Sequence, residues 1–229
     1  MHLVEHCTGW SQDISKQWLI DNFSDLLIEY RDLLPEIVTE KRQPDYLPEE
    51  SLKPYEHYHL YMWERKLSKK VVDLFQIGYD SEQKAITFPI RDEAGGLVGI
   101  SRRSVKGKFF SMPDNIVKPV YLLNYIKQWG ITRVYVCESQ LNALYLWSHD
   151  RPAVALFGTG SDDQYEILRR SGIREYWLAF DGDSAGWLGA KRFKEGIGRD
   201  VLVTTVQLPK GKDVNDLDIE TFLKLPTTC

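Results

Sequence analysis

The chain has 229 residues, 43% of them hydrophobic, which is enough to bury a core and argues against disorder. Charged residues make up 27%, no apolar run approaches the ~20 residues that cross a bilayer, and the first residues lack a basic segment followed by an apolar one, so neither a membrane protein nor a signal peptide is expected. The net charge of −4 excludes a uniformly basic nucleic-acid coat, and three scattered cysteines, Cys7, Cys137 and Cys229, make no disulfide framework, which points to a reducing, cytoplasmic location.

Residues 1–60 carry 5 basic and 12 acidic side chains and are predicted as a helical N-terminal region. From Ser11, an N-cap residue type, the apolar residues Ile14, Trp18, Leu19, Phe23, Leu26, Leu27 and Tyr30 recur at helical spacing until Pro35, and they predict a packed core face. A Pro- and Glu-rich stretch at 43–54 leads into a second helical region. Residues 61–130 reverse the charge, with 12 basic against 7 acidic residues, and read as a smaller α+β domain. Strands are predicted at 85–90 and 97–101, joined by Arg-Asp-Glu-Ala-Gly-Gly, whose glycines suit a hairpin turn with positive φ. Arg102, Arg103, Lys106 and Lys108 then fall within seven residues with no acid between them, the pattern of a groove that follows a phosphate backbone; the plainer reading is a solvated loop. Phe109, Phe110 and Tyr121 are expected in the core, base stacking being their less common use.

Beyond residue 131 strands and helices alternate. Strands are predicted at 133–137, 153–157, 175–180 and 201–208, with helices at 141–148, 162–171 and 184–196. Such a series calls for a parallel sheet covered on both faces, with its ligand site at the carboxyl ends of the strands. Acids occur at three of those ends: Glu138 after the first strand, Asp181 and Asp183 after the third, and Asp213 in the loop after the fourth. Neighbouring strands lie ~5 Å apart, so these carboxylates are within reach of one hard divalent cation. Magnesium suits an all-oxygen set, with manganese the alternative; no zinc is expected, since no cluster of Cys and His is spaced for it. Gly182 keeps the turn between the aspartates narrow, and Lys210 and Lys212 beside Asp213 offset phosphate charge. An N-cap is the competing role for Asp183.

Val-Tyr-Val-Cys-Glu-Ser-Gln-Leu at 134–141, Phe-Asp-Gly-Asp-Ser-Ala-Gly at 180–186 and Leu-Pro-Lys-Gly-Lys-Asp-Val-Asn-Asp-Leu at 208–217 resemble, in order and spacing, the Toprim domain of primases, topoisomerases and related nucleases. The preceding segment, with Lys-Phe-Phe-Ser-Met-Pro at 108–113, resembles the N-terminal half of the catalytic core of bacterial and phage DnaG-type DNA primases. The resemblance runs from about residue 60 to 220 and implies an α/β fold: a Rossmann-like parallel-sheet Toprim domain at 131–210, a smaller basic α+β domain at 61–130 before it, the helical region at 1–60, and a metal loop and helix at 211–229.

The resemblance further implies Glu138 as general base or metal ligand, Asp181 and Asp183 as catalytic metal ligands with Asp213, and Arg103, Lys108 and Lys118 as residues facing template and nucleotide. In the usual pattern a Gly follows the glutamate and an Asp lies four residues after it; here these are Ser139 and Asn142, which removes one carboxylate. The activity it implies is synthesis of short RNA primers on a single-stranded DNA template from ribonucleoside triphosphates, with magnesium. A replicative helicase, or a zinc-bearing protein supplied in trans, is an expected partner, since no zinc ribbon is visible, and a phage or mobile element is the expected source. A Toprim-type nuclease and a catalytically weakened single-stranded DNA-binding or regulatory protein are the alternatives.

Overall fold

The computed structural model describes residues 45–107, 109–113 and 116–229, together with residues 11, 14, 15, 17, 18 and 22. The chain divides into two units, Met1–Gln43 and Pro44–Cys229. In the first, Ile14, Ser15, Gln17, Trp18 and Asn22 are helical, as their spacing predicts. Ile14 (55%) and Trp18 (38%) are exposed, however, while the small Ser15 is buried, so these two apolar residues do not form the expected core face. The other apolar residues assigned to that face lie outside the described residues.

The second unit opens with a 3-10 turn, Glu49–Tyr55, which gives the Pro- and Glu-rich stretch a defined structure. Helices α1 (Leu60–Glu64) and α2 (Lys69–Leu74) follow, the latter capped by Ser68, whose side chain accepts from Val71 N–H. Four antiparallel strands come next in sequence order: β1 (Gly78–Asp80), β2 (Ala85–Arg91), β3 (Leu97–Ser104) and β4 (Phe110–Ser111). The β2–β3 turn has Gly95 at φ 94°, and Asp92 Oδ1 accepts from the N–H groups of Ala94 and Gly96 at 3.0 and 2.9 Å. Pro89 sits inside β2 but beyond its pairing with β1, which ends at Thr87, so its missing N–H leaves no gap in that ladder.

After α3 (Leu123–Gln128) the strands β5 (Arg133–Cys137), β6 (Ala153–Ala155), β7 (Glu175–Leu178) and β8 (Leu202–Val206) form a parallel sheet in the order β6-β5-β7-β8. Helices α4 (Gln140–Trp147), α5 (Asp162–Arg169) and α6 (Ser184–Ile197) supply the crossovers. Each has its cap in the sequence: Ser139 for α4, Ser161 with Gln164 in a reciprocal box for α5, and Asp183 for α6. A final helix, α7 (Ile219–Leu223), leads to β9 (Thr227–Thr228), which pairs antiparallel with β8. This closing strand carries too little apolar pattern to be read from two threonines. The four strands predicted for the parallel sheet are otherwise in place, β5 with its predicted bounds and β6, β7 and β8 shorter at their carboxyl ends.

Alternation along the strands divides the core in two. Val134, Val136, Tyr176 and Leu178 pack with Leu168 and Phe193 on one face of the sheet. Cys137 and Ala155 face the other way, into a cluster with Leu141, Leu144 and Phe222 that continues without a break through Val71, Phe75 and Phe88 of the preceding segment. Polar contacts reinforce that junction: Lys66 Nζ donates to the carbonyls of Asn215 and Leu217 at 2.8 and 3.0 Å, and Asn215 Nδ2 donates to Arg65 O at 2.6 Å. Among the described residues no helix is long and apolar enough to cross a membrane.

Candidate active site

The acidic residues stand at the carboxyl edge of the parallel sheet. Glu138 directly follows β5, and its Oε1 accepts from Asp181 N–H at 2.9 Å, which joins the ends of β5 and β7. The loop after β8 is tied to the Asp181–Asp183 turn by two backbone bonds, Gly182 N–H to Lys212 O and Gly211 N–H to Gly182 O, both 2.8 Å. Gly182 is required for more than a narrow turn: a Cβ there would lie 2.0 Å from Pro209 O. A Cβ on Gly186, at the start of α6, would lie 2.2 Å from Asp181 O and 3.0 Å from Glu138 Oε1. Two glycines thus let three chain segments close on one point. The sequence reading used the first for a different reason and passed over the second.

Asp183 Oδ1 accepts from Gly186 N–H at 2.8 Å, so the residue does serve as the cap of α6. Asp213 Oδ1 accepts from Asp216 N–H at 3.0 Å, capping the 3-10 turn Val214–Asp216, and its Oδ2 lies 3.7 Å from Arg65 Nη2. Burial, and then the charges of Glu138, Asp213, Asp183 and Asp216, push the Asp181 carboxyl up to about 7. Glu138 is raised by burial and by Asp183 against the pull of the Asp181 N–H. Asp216, which sequence reasoning did not single out, therefore belongs to the same field; its place as a second acid in the Asp213 loop was its only signal.

These acids share one edge, yet among the described residues no group of three or more His, Cys, Asp or Glu is arranged to enclose a metal ion. Their chemistry nevertheless fits a hard divalent cation. The donors are all oxygens, repulsion among them is not balanced by bases of their own number, and Asn142 Oδ1 is buried with no hydrogen-bond partner while its Nδ2 makes only a 3.5 Å contact with Asp181 Oδ1. Asn142 stands where the resemblance has an aspartate, and it offers a carbonyl oxygen in place of the lost charge.

A proton-linked expectation follows for the metal-free protein. A raised folded pKa means that between about 4 and 7 the folded state holds a proton the unfolded chain has released, so this group's contribution to stability falls as pH rises through that window. Asp181→Asn should remove that slope and, after discounting for solvent screening, gain ~1 kcal/mol at pH 8, a rise of ~3 °C in Tm. Melting curves in chelator from pH 5 to 8 check this; parallel curves for the two proteins would refute it.

The basic residues divide into committed and uncommitted. Arg102 Nε donates to Asp80 Oδ2 at 2.9 Å, its Nη2 donates to Tyr55 OH at 2.8 Å, and its guanidinium lies over the Tyr55 ring at 5.1 Å. Burial raises the Asp80 carboxyl, but hydrogen bonds from Gln83 N–H and Arg102 outweigh it and hold it below the usual range. Arg102→Ala would leave Asp80 buried without its cation and should cost ~2–3 kcal/mol, a loss seen at neutral pH that shrinks as pH falls through the lowered Asp80 value. Urea melts at pH 7 and pH 3 measure it. Arg102 is thus tied to the protein's own groups rather than left open for nucleic acid.

Arg103 points to the other side of β3, the side of Ser101, whose Oγ accepts from Gln140 Nε2 of α4 at 2.7 Å; this face turns toward the parallel sheet. Its Nε is buried without a partner. Lys106, Lys118 and Lys212 are exposed, and Lys108 lies outside the described residues. Tyr121 is buried as expected, but Phe109 is 70% and Phe110 36% exposed, because the short edge strand β4 has no layer to cover it.

Comparison with known proteins bears on the fold that carries these residues. Residues 135–218 match the Toprim-like family. The DNA primase of Deinococcus radiodurans is 29% identical over 150 residues, which are 60% of this chain and 26% of that protein, so the chain spans about a quarter of that relative's length. A DNA primase domain from Pseudomonas aeruginosa superposes with a TM-score of 0.61 at 20% identity, covering 73% of this chain and 72% of the other. A DnaG primase catalytic domain bound to single-stranded DNA superposes with a TM-score of 0.58 at 20% identity over 88% of this chain and 74% of that one. The chain carries a Toprim-like domain and is built on the fold of the DnaG-type primase catalytic core.

Proposed function

We propose that this chain is a DNA primase catalytic subunit, a nucleotidyltransferase that joins ribonucleoside triphosphates into short RNA primers on single-stranded DNA. The observation that carries the reading is the gathering at the sheet edge of an acidic cluster from three strand ends, with the Ser101 face of β3, which also carries Arg103, bonded to Gln140 just after Glu138. Glu138, Asp181, Asp183 and Asp213 would hold the divalent cation, magnesium or manganese. Bound there, it neutralises triphosphate charge and stabilises charge on the attacking and leaving oxygens.

The protein's own groups do the rest. Glu138 fixes the Asp181 backbone, and the paired loops hold Asp213 beside the Asp181–Asp183 turn. Arg103 and the exposed Lys106 and Lys118, with Lys108, hold template phosphates, and Lys212 meets the triphosphate. Incubation with single-stranded DNA, labelled ribonucleotides and magnesium tests the reading. Elongated RNA is the expected product. Cleavage of the DNA would favour the Toprim nuclease reading, and binding alone the weakened regulatory one.

A further inference from the structure

The sheet edge has a concave surface on the side away from β3. A groove of about 440 Å³ runs between α6 and the β8–β9 edge, and Asp181 and Asp183 are among the residues that line it. Trp187, Lys191 and Lys194 line it from the helix; Thr205, Gln207 and Thr228 line it from the sheet. Trp187, Lys191 and Lys194 stand at i, i+4 and i+7, so one stripe of α6 presents them over ~10 Å. Trp187 is 68% exposed, an unusual state for so large an apolar ring. Neither lysine is ion-paired with any described residue.

We propose that this groove is a second contact for single-stranded DNA, in which Trp187 stacks an unpaired base and Lys191 and Lys194 hold the flanking phosphates. The inference rests on the reading of the acidic edge as a site that works on such a strand. An open indole face beside spaced cations is the combination that binds single strands without regard to sequence. A paired base has no free face to offer it, so the occupant is the unpaired strand rather than a primer–template hybrid. Topology adds the direction. Gln140 and Ser101 meet on the β5 side of the acids, the groove lies on the β8 side, and a strand held by both must cross the acidic edge between them.

The test uses the full chain in chelator, where strand binding is read apart from any cation and from catalysis. Fluorescence anisotropy with fifteen-nucleotide oligo-dT and oligo-rU is measured across salt concentrations. Trp187→Ala should weaken oligo-dT binding roughly tenfold. Lys191→Gln with Lys194→Gln should lower the salt slope by ~1.4, two counterions at ~0.7 each. Arg192→Gln, on the same helix but outside the groove, is the control for general charge loss and should leave both unchanged. Unchanged binding in the groove variants, equal losses in the Arg192 variant, or losses confined to oligo-rU would each overturn the proposal. A chain that binds through the groove and makes no RNA would instead refute the proposed function alone.

Discussion

Asp181→Ala is expected to reduce primer synthesis about 10³-fold, a loss of ~4 kcal/mol in transition-state stabilisation, while leaving the folded protein intact. Asp181 is the acid on which the site's field converges: burial and four neighbouring carboxylates all oppose its charge, and its side chain receives in return only the 3.5 Å contact from Asn142. A group held so unfavourably contributes little to folding, so its removal should not lower the melting temperature. On the proposed function, its role is the charge it would offer to a cation and a triphosphate. Labelled-ribonucleotide incorporation, set beside calorimetric melting of the same preparation, separates the two effects. Activity above a tenth of the wild-type value would remove Asp181 from the proposed ligand set, and a collapsed melting transition would show that the residue is structural.

Gly182→Ala should damage both stability and activity. Its φ is outside the left-handed region, so the conflict is one of space: the added Cβ meets the Pro209 carbonyl at 2.0 Å, a backbone atom that cannot rotate away. The loop carrying Asp213 must then move off, and the two 2.8 Å bonds joining it to the Asp181–Asp183 turn lengthen or break. Overpacking of this kind costs ~1–3 kcal/mol. Displacing reacting groups by ~1 Å costs about 10²-fold in rate. Denaturant melts and the incorporation assay should therefore both respond, and an alanine variant of wild-type stability would mean that the loops are not held by this contact.

Much of this architecture was legible from local pattern. The βα series announced itself through Val134–Val136 and Tyr176–Leu178, which alternate between two buried faces, and through serine and aspartate caps at each helix start. The sheet edge that gathers the acids followed from parallel topology alone. What stayed hidden was set by tertiary partners. Arg102 looked like one more cation in a basic run, and nothing near it in sequence announced Asp80, 22 residues away, or Tyr55, 47 residues away. Phe109 looked like core because aromatic residues usually are, but the two-residue strand β4 leaves it without cover. Gly186 and Asp216 matter through closeness in space to Glu138 and Asp181, which spacing along one chain does not encode.

The unbroken apolar cluster that joins the antiparallel sheet to the Toprim sheet, with Lys66 and Asn215 stitched across it, bears on how the molecule comes apart. Two lobes that share a core have no hinge to open between them. Residues 44–229 should melt as one cooperative block, with a single heat-absorption peak whose calorimetric and van't Hoff enthalpies agree. On the proposed function, a strand would reach the acidic edge at a rate set by electrostatic encounter and salt, without waiting for a slow opening step between the lobes.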